Sequence, residues 1–244
     1  MDIADHIKSL EREGQLLAAA AASAGTDAPV PTCPDWQVDD LLRHTGSAHR
    51  WATGFVAEGH TTPHPFGVGP DLTGDELLTW FRAGHTALMS TLSLAPADVE
   101  CWAFMPAPSP LAFWARRQAH ETAVHRFDAE LAAGIQLSPL EPEFAADGID
   151  ELLRLFHART RSRVRSDLPK TLRVRASDTG DVWTCRLTSE PPLTVLGEEG
   201  AADCELTGTA AQLYAALWNR QPLSTVTVTG DSALAELWVE KSGI

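Results

Sequence analysis

Apolar residues recur at helical spacing through about the first 135 positions and alternate in strand fashion through about the last 75, which predicts two differently built halves. Ile3, Ile7, Leu10, Leu17 and Ala21 fall on one stripe and predict a helix from about Ile3 to Ser23. The segment GTDAPVPTCPDW, with a glycine and three prolines, breaks it. A second helix is predicted from about Val38 to Ala57. Asp39 and Asp40 lie in its first turn, where the helix dipole favours anions, and Leu41, Leu42, Ala48, Ala52 and Phe55 face inward. After the Gly/Pro loop GHTTPHPFGVGP, Thr73 and Glu76 read as a capping box for a third helix carrying Leu77, Leu78, Phe81, His85 and Leu88 and ending near Leu92. The fourth is predicted from about Leu111 to Ala133, with Ser109 as cap, Pro110 at the tolerated first position and Gly134 as the stop. Four helices of this length predict a bundle.

The polar, proline-bearing run LSPLEPEF marks an interdomain linker and divides a bundle at 1–140 from a second domain at 141–244. A helix from about Ala146 to Arg163 is predicted next. TLRVRAS, DVWTCRLTS and PLTVLG read as strands, with Asp178-Thr179-Gly180-Asp181 as a hairpin turn. ADCELTGT and STVTVTGD add strands, and TAAQLYAALWNRQ and SALAELWVEK add helices, which makes the second domain a small α+β unit.

Composition narrows the partners. The 244 residues carry 19 Lys+Arg against 33 Asp+Glu, a net charge of −14, which repels nucleic acid. One basic stretch, Arg154, Arg159, Arg161, Arg163 and Arg165, reads as a solvated helical face with its charges spread over several sides, docking of an acidic ligand being the lesser alternative. Cys33, Cys101, Cys185 and Cys204 form no Cys-x-x-Cys pair, so neither a zinc ribbon nor a disulfide scaffold is implied. No stretch reads as a signal peptide or a membrane span, and a cytoplasmic location follows.

The chemistry concentrates in RRQAHETAVHRFDAELAAG. Glu121 and His125 are four apart on a predicted helix and project from one face, where they can share an ion. His44, among apolar neighbours on another helix, is the candidate third ligand; three such ligands leave a coordination position for water or substrate. His120, His49 and His85 are rivals by residue type. His120 points away from Glu121 and reads as an outer or surface residue, His49 lies off the face of His44, and His85 reads as a helix-surface residue. Asp128 either orients the His125 ring through its free nitrogen or is an ordinary solvated carboxylate.

TCPDWQVDDLLRHTGSAHRWA together with WARRQAHETAVHRFDAELAAG resembles the mycothiol-dependent maleylpyruvate isomerase family, within the DinB-like metal-binding superfamily. The resemblance extends to GTAAQLYAALWNRQPLSTVTVTGD in the second half. It implies an α+β, two-domain chain: a DinB-like four-helix bundle and a small α+β domain similar to sterol-carrier proteins. It implies zinc or another divalent metal on His44, Glu121 and His125, and mycothiol as thiol cofactor. It implies isomerisation of, or S-transfer to, a small electrophile of the maleylpyruvate type, and a monomer or weak homodimer without nucleic-acid or membrane partners. Arg220 in LWNRQ matches an arginine that the family turns towards the cleft, and is the implied catalytic and cofactor-binding cation. Trp36 and Trp51 read as packing residues, and Cys33 as a buried small hydrophobe. Two alternatives stand beside this reading: a noncatalytic metal-containing protein with an apolar or acyl pocket, and a thiol-independent DinB-like biosynthetic enzyme. The GHTTPHPFGVGP and CWAFMPAPSP loops match nothing in the family and are the expected seat of substrate choice.

Overall fold

A computed structural model describes residues 1–243. The chain forms two compact units, Met1–Ser138 and Pro139–Ile244. The first holds four helices: α1 (Ile3–Ala24), α2 (Val38–Glu58), α3 (Gly74–Leu94) and α4 (Pro110–Ala132). Helix α1 packs on α4 and α3, and α2 on α3 and α4. The apolar stripes read from sequence face this core: Leu10, Leu17, Ala21, Leu41, Leu42, Ala52, Phe55, Leu77, Phe81 and Leu88 are all buried. Gly46 lets α2 approach α3, since a Cβ there would lie 2.3 Å from the Trp80 ring.

Helix starts follow local chemistry with one correction. Asp2 and Asp5 form a capping box at α1, and Ser109 Oγ accepts from Ala112 N–H at α4. Thr73 precedes α3 as expected, but its side chain makes no capping bond. The Gly74 N–H of that first turn instead donates to Thr26 Oγ1 at 3.3 Å, from a loop distant in sequence.

The second unit is a five-stranded sheet in the order β3-β2-β1-β4-β5, built from β1 (Lys170–Ala176), β2 (Val182–Leu187), β3 (Leu193–Leu196), β4 (Cys204–Gly208) and β5 (Thr227–Gly230). All neighbours pair antiparallel except β1 and β4, which are parallel. The β1–β2 hairpin closes through Gly180, whose φ of 79° suits glycine. Helices α6 (Ala210–Leu217) and α7 (Ser232–Lys241) contact β4, and α5 (Pro142–Glu151) packs on α6. The α+β, two-domain class is therefore as the sequence predicts.

The helix expected from Ala146 to Arg163 is corrected. Helix α5 begins at Pro142 and ends at Glu151, followed by a π-turn over Leu152–Phe156. The Leu153 carbonyl accepts from Thr194 Oγ1 of β3 at 3.1 Å, and the His157 N–H bonds one residue further back, to Leu152 O at 3.1 Å. Beyond Phe156 the chain is irregular, so Arg159, Arg161, Arg163 and Arg165 do not lie on a helix. Among the described residues no helix is long and apolar enough to cross a membrane.

His157 is buried against Trp238, and burial, aided by the charge of Arg159, pushes its pKa down to about 4. A folded-state value below the unfolded one means that the unfolded chain takes the proton first. This group's share of stability is therefore intact above about pH 6.5 and lost as pH falls towards 4. Between pH 7 and 4.5 it amounts to about 2 kcal/mol. Urea unfolding at the two pH values is expected to show a drop smaller by that amount in His157→Gln; equal drops would refute the assignment.

Candidate metal centre

Helix α2 carries His44 with Leu41 and Leu42 buried beside it, and α4 carries Glu121 and His125 one turn apart. Glu121 Oε1 lies 3.1 Å from His44 Nε2 and 3.3 Å from His125 Nε2. The two rings meet edge to face, with centroids 4.9 Å apart. The His44 and Glu121 side chains keep 34% and 26% exposure, so the cluster opens to solvent on one side.

Proton placement decides whether a cation fits. His125 Nδ1 lies 2.8 Å from the buried Asp128 Oδ2, so its Nδ1–H donates there and a neutral ring has its lone pair at Nε2. That lone pair faces Glu121 Oε1, itself an acceptor. Two acceptors at this distance need a proton or a metal ion between them. With a proton, His125 is held charged: burial opposes this, but hydrogen bonds to Asp128 and Glu121 lift its pKa to about 9. Glu121 is held well below the usual carboxylate range, burial opposing and the two imidazoles prevailing.

A divalent ion satisfies the same atoms without the proton. Metal–ligand bonds of about 2.0–2.2 Å in a tetrahedron set neighbouring donors roughly 3.3–3.6 Å apart. The 3.1 and 3.3 Å separations lie within a few tenths of an ångström of that spacing, and two imidazole nitrogens with one carboxylate oxygen are a donor set suited to zinc. The residues present fit the metal.

Further contacts fix the three side chains. Asp128 Oδ1 accepts from Thr32 Oγ1. Thr32 is held in a turn in which Cys33 N–H donates to Val30 O and Trp36 N–H donates to Cys33 O. Arg117 Nη2 donates to Glu121 Oε2 at 3.4 Å. The Trp36 ring lies 5.0 Å from the His44 ring and 6.0 Å from that of His125, nearly parallel to the latter, and Phe66 lies 5.5 Å from His44. Asp128→Asn keeps the shape but weakens the hold on His125, and is expected to lower zinc affinity by about tenfold or more. Competition with a chromophoric chelator measures this; unchanged affinity would remove Asp128 from the site.

Several single-residue readings change. Asp128 is fully buried rather than solvated, and does orient His125. His85 is buried, with Nε2 2.9 Å from Leu10 O, not on the helix surface. His49 is buried and bonds Thr122 Oγ1 at 2.9 Å, away from the cluster. His120 is fully buried and edge-on to His6, so the surface alternative fails. Cys33 is only half-buried. Trp51 packs among Phe55, Trp102 and Trp114 as expected, whereas Trp36 flanks both imidazoles. Arg220 follows α6 in the second unit, and its Nη1 donates to Trp218 O at 2.8 Å. Sequence reasoning passed over Thr32 and Phe66, which come from irregular segments, and Arg117, whose place one turn before Glu121 was a legible signal.

Comparison with known proteins adds three findings. The family model for the mycothiol maleylpyruvate isomerase N-terminal domain matches residues 8–130, and the MDMPI C-terminal domain model matches residues 143–237. Crystal structures of a mycothiol-dependent maleylpyruvate isomerase and of its histidine-to-alanine mutant each align with 94% of this chain and 93% of their own, with a TM-score of 0.66 and identities of 13% and 11%. A UbiJ-SCP2 ubiquinone synthesis protein aligns with 43% of this chain and 96% of its own, at 26% identity and a TM-score of 0.34. No curated protein matches the sequence.

Proposed function

The chain belongs to the mycothiol maleylpyruvate isomerase family, and on that premise we propose a metal-dependent enzyme that uses mycothiol to isomerise a small cis alkene of the maleylpyruvate type. His44, Glu121 and His125 hold the divalent ion, zinc. The observation that supports this reading above others is the meeting of both Nε2 atoms on one oxygen of Glu121, with His125 Nδ1 already engaged by Asp128. A divalent cation there favours thiolate over thiol near neutral pH.

The chain's own groups do the rest. Asp128 keeps the Nε2 lone pair of His125 turned to the cluster, and Arg117 steadies the second oxygen of Glu121. Trp36 and Phe66 flank His44 with their rings. Arg220 pairs with a carboxylate of the substrate through its two-pronged guanidinium.

The reaction balances without redox change. The thiolate forms a C–S bond to one alkene carbon, and the π electrons pass into the conjugated carbonyl as an enolate. The remaining C–C single bond rotates. The enolate electrons then return, the C–S bond breaks, and trans alkene and thiolate separate. If the enolate carbon takes a proton instead, the product is an S-adduct, and the site acts as a transferase.

Incubating the zinc-loaded protein with mycothiol and maleylpyruvate, followed by mass spectrometry, tests the reading. Trans product with mycothiol recovered supports isomerisation, and a mass equal to thiol plus substrate identifies S-transfer. Zinc bound with neither product would overturn the thiol chemistry. In Arg220→Lys, KM for the carboxylate partner is expected to rise about tenfold with kcat little changed; an unchanged KM would remove Arg220 from binding.

A further inference from the structure

His44 and Trp51 stand about two turns apart on one face of α2. The loop that follows this helix turns back over that face and is held there by the helix's own side chains. Trp51 Nε1–H donates to His64 O at 3.0 Å, and Arg43 donates from Nε to Pro70 O at 3.2 Å and from Nη2 to Leu72 O at 3.0 Å. Gly69 permits the second attachment, since a Cβ there would lie 2.7 Å from Arg43 Cβ. At its start the loop is tied to the segment CWAFMPAPSP by a 2.7 Å bond from Trp102 N–H to His60 O.

Between these attachments Phe66 is set between the two rings of the helix, its centroid 5.5 Å from that of His44 and 5.8 Å from that of Trp51. Trp51 in turn meets Trp102 at 5.9 Å. Phe66, Trp51 and Trp102 thus form an aromatic shelf that starts at a residue of the metal centre and lies wholly within the first unit. It is not a closed core. Phe66 is 45% exposed and Trp51 and Trp102 are half-buried, although the backbone that carries Phe66 is pinned on both sides. Single exposed apolar residues are ordinary, whereas a contiguous group of them beside the open side of a polar cluster marks a place for a ligand.

We propose that this shelf seats an aryl group, so that the substrate is a cis-alkene keto acid bearing an aromatic ring where maleylpyruvate bears its second carboxylate. The proposal rests on the thiol-dependent isomerisation described above and names the substrate of that site. The face of an aromatic ring carries negative charge density, which repels a carboxylate and attracts the edge of another ring. An aryl group on the shelf gains both buried apolar area and ring-to-ring contact, a saturated ring gains the area alone, and a carboxylate gains neither. Thiolate addition, rotation and elimination proceed as set out above, with the aryl ketone taking up and returning the electron pair.

The test has two arms. The first contains no thiol: a ¹H–¹⁵N NMR titration of the zinc-loaded full chain with benzoylpropanoate, which lacks the alkene and does not react, with its cyclohexyl counterpart, and with oxopimelate, a keto dicarboxylate. Saturable shifts at the Trp51 indole N–H and the Gly67 backbone are expected with benzoylpropanoate, which should bind about tenfold more tightly than either of the others. Phe66→Ala should remove that preference, and Val68→Ala, at a 99% exposed position of the same loop, should keep it. The second arm adds mycothiol and compares cis-benzoylacrylate with maleylpyruvate, the uncatalysed rate subtracted. Phe66→Ala is expected to raise KM for benzoylacrylate about tenfold with kcat little changed, and to leave maleylpyruvate kinetics as they were. Ring-selective binding in the first arm with turnover of neither substrate in the second would sink the thiol chemistry while supporting the shelf. Equal binding of the three acids, a preference that survives in Phe66→Ala, or mycothiol itself losing affinity in that variant would overturn the proposal.

Discussion

His125→Ala is expected to lower zinc affinity by at least about 100-fold, a larger loss than removing an outer-shell partner causes. It deletes one donor of three and breaks the chain of contacts Thr32–Asp128–His125–Glu121. The protein should remain folded, because the imidazole's hydrogen-bond partners are the carboxylates of Glu121 and Asp128, and Asp128 keeps its bond from Thr32 Oγ1 when the ring is removed. Metal analysis after dialysis against a weak chelator is expected to find about one zinc per chain in the parent and almost none in the variant, with matching far-ultraviolet circular dichroism. Zinc retained at parental level in a folded His125→Ala would place the ion elsewhere.

The second large effect concerns the residue next to it. Arg126 is fully buried, and its Nε donates to Glu13 Oε2 and its Nη1 to Glu130 Oε2, both at 2.6 Å, with a further bond from Nη1 to Ser138 O at 2.8 Å. Glu13 on α1 is already raised in pKa, because burial outweighs the arginine that stabilises its charge. Arg126→Met leaves two buried carboxylates without their cation, and is expected to cost about 3–5 kcal/mol. Tm should fall by roughly 10 °C or more. Converting Glu13 and Glu130 to glutamine in the same chain should restore part of the loss, since the stranded charges go with them. Denaturant unfolding measures both; a loss below about 1 kcal/mol in Arg126→Met would show that the network contributes little.

That network explains why the role of α4 was harder to read than its existence. Its ends are written in Ser109, Pro110 and Gly134. Its polar run, RRQAHETAVHRFDAE, looks like a solvated surface, yet Arg117, His120, Arg126, Asp128 and Glu130 are buried. Arg126, Asp128 and Glu130 bond residues far away in sequence or a neighbour one turn along, and Arg117 bonds Glu121 one turn along; periodicity does not report such partners. The one-turn spacing of Glu121 and His125 was visible, and so was the capacity of His44 to join them. Their support was visible only in part, because Thr32 reaches Asp128 across 96 positions from a proline-bounded turn.

The second unit shows the same division. Strands β1 to β5 fall where β-branched runs and turn residues put them. Helix α5 stops early because a strand threonine captures the carbonyl of Leu153, a contact made only once the sheet is formed. The shortened helix turns an arginine run that reads as a dispersed helical face into an irregular loop.

The account depends most on one ion shared by His44, Glu121 and His125. Anomalous diffraction at the zinc edge from crystals of the zinc-loaded protein tests it directly. The predicted result is a single strong peak about 2.0–2.2 Å from His44 Nε2, Glu121 Oε1 and His125 Nε2, with at least one further ligand that is not protein. A zinc-saturated crystal with no peak among those three atoms, or with a fourth side chain closing the coordination sphere, would contradict it.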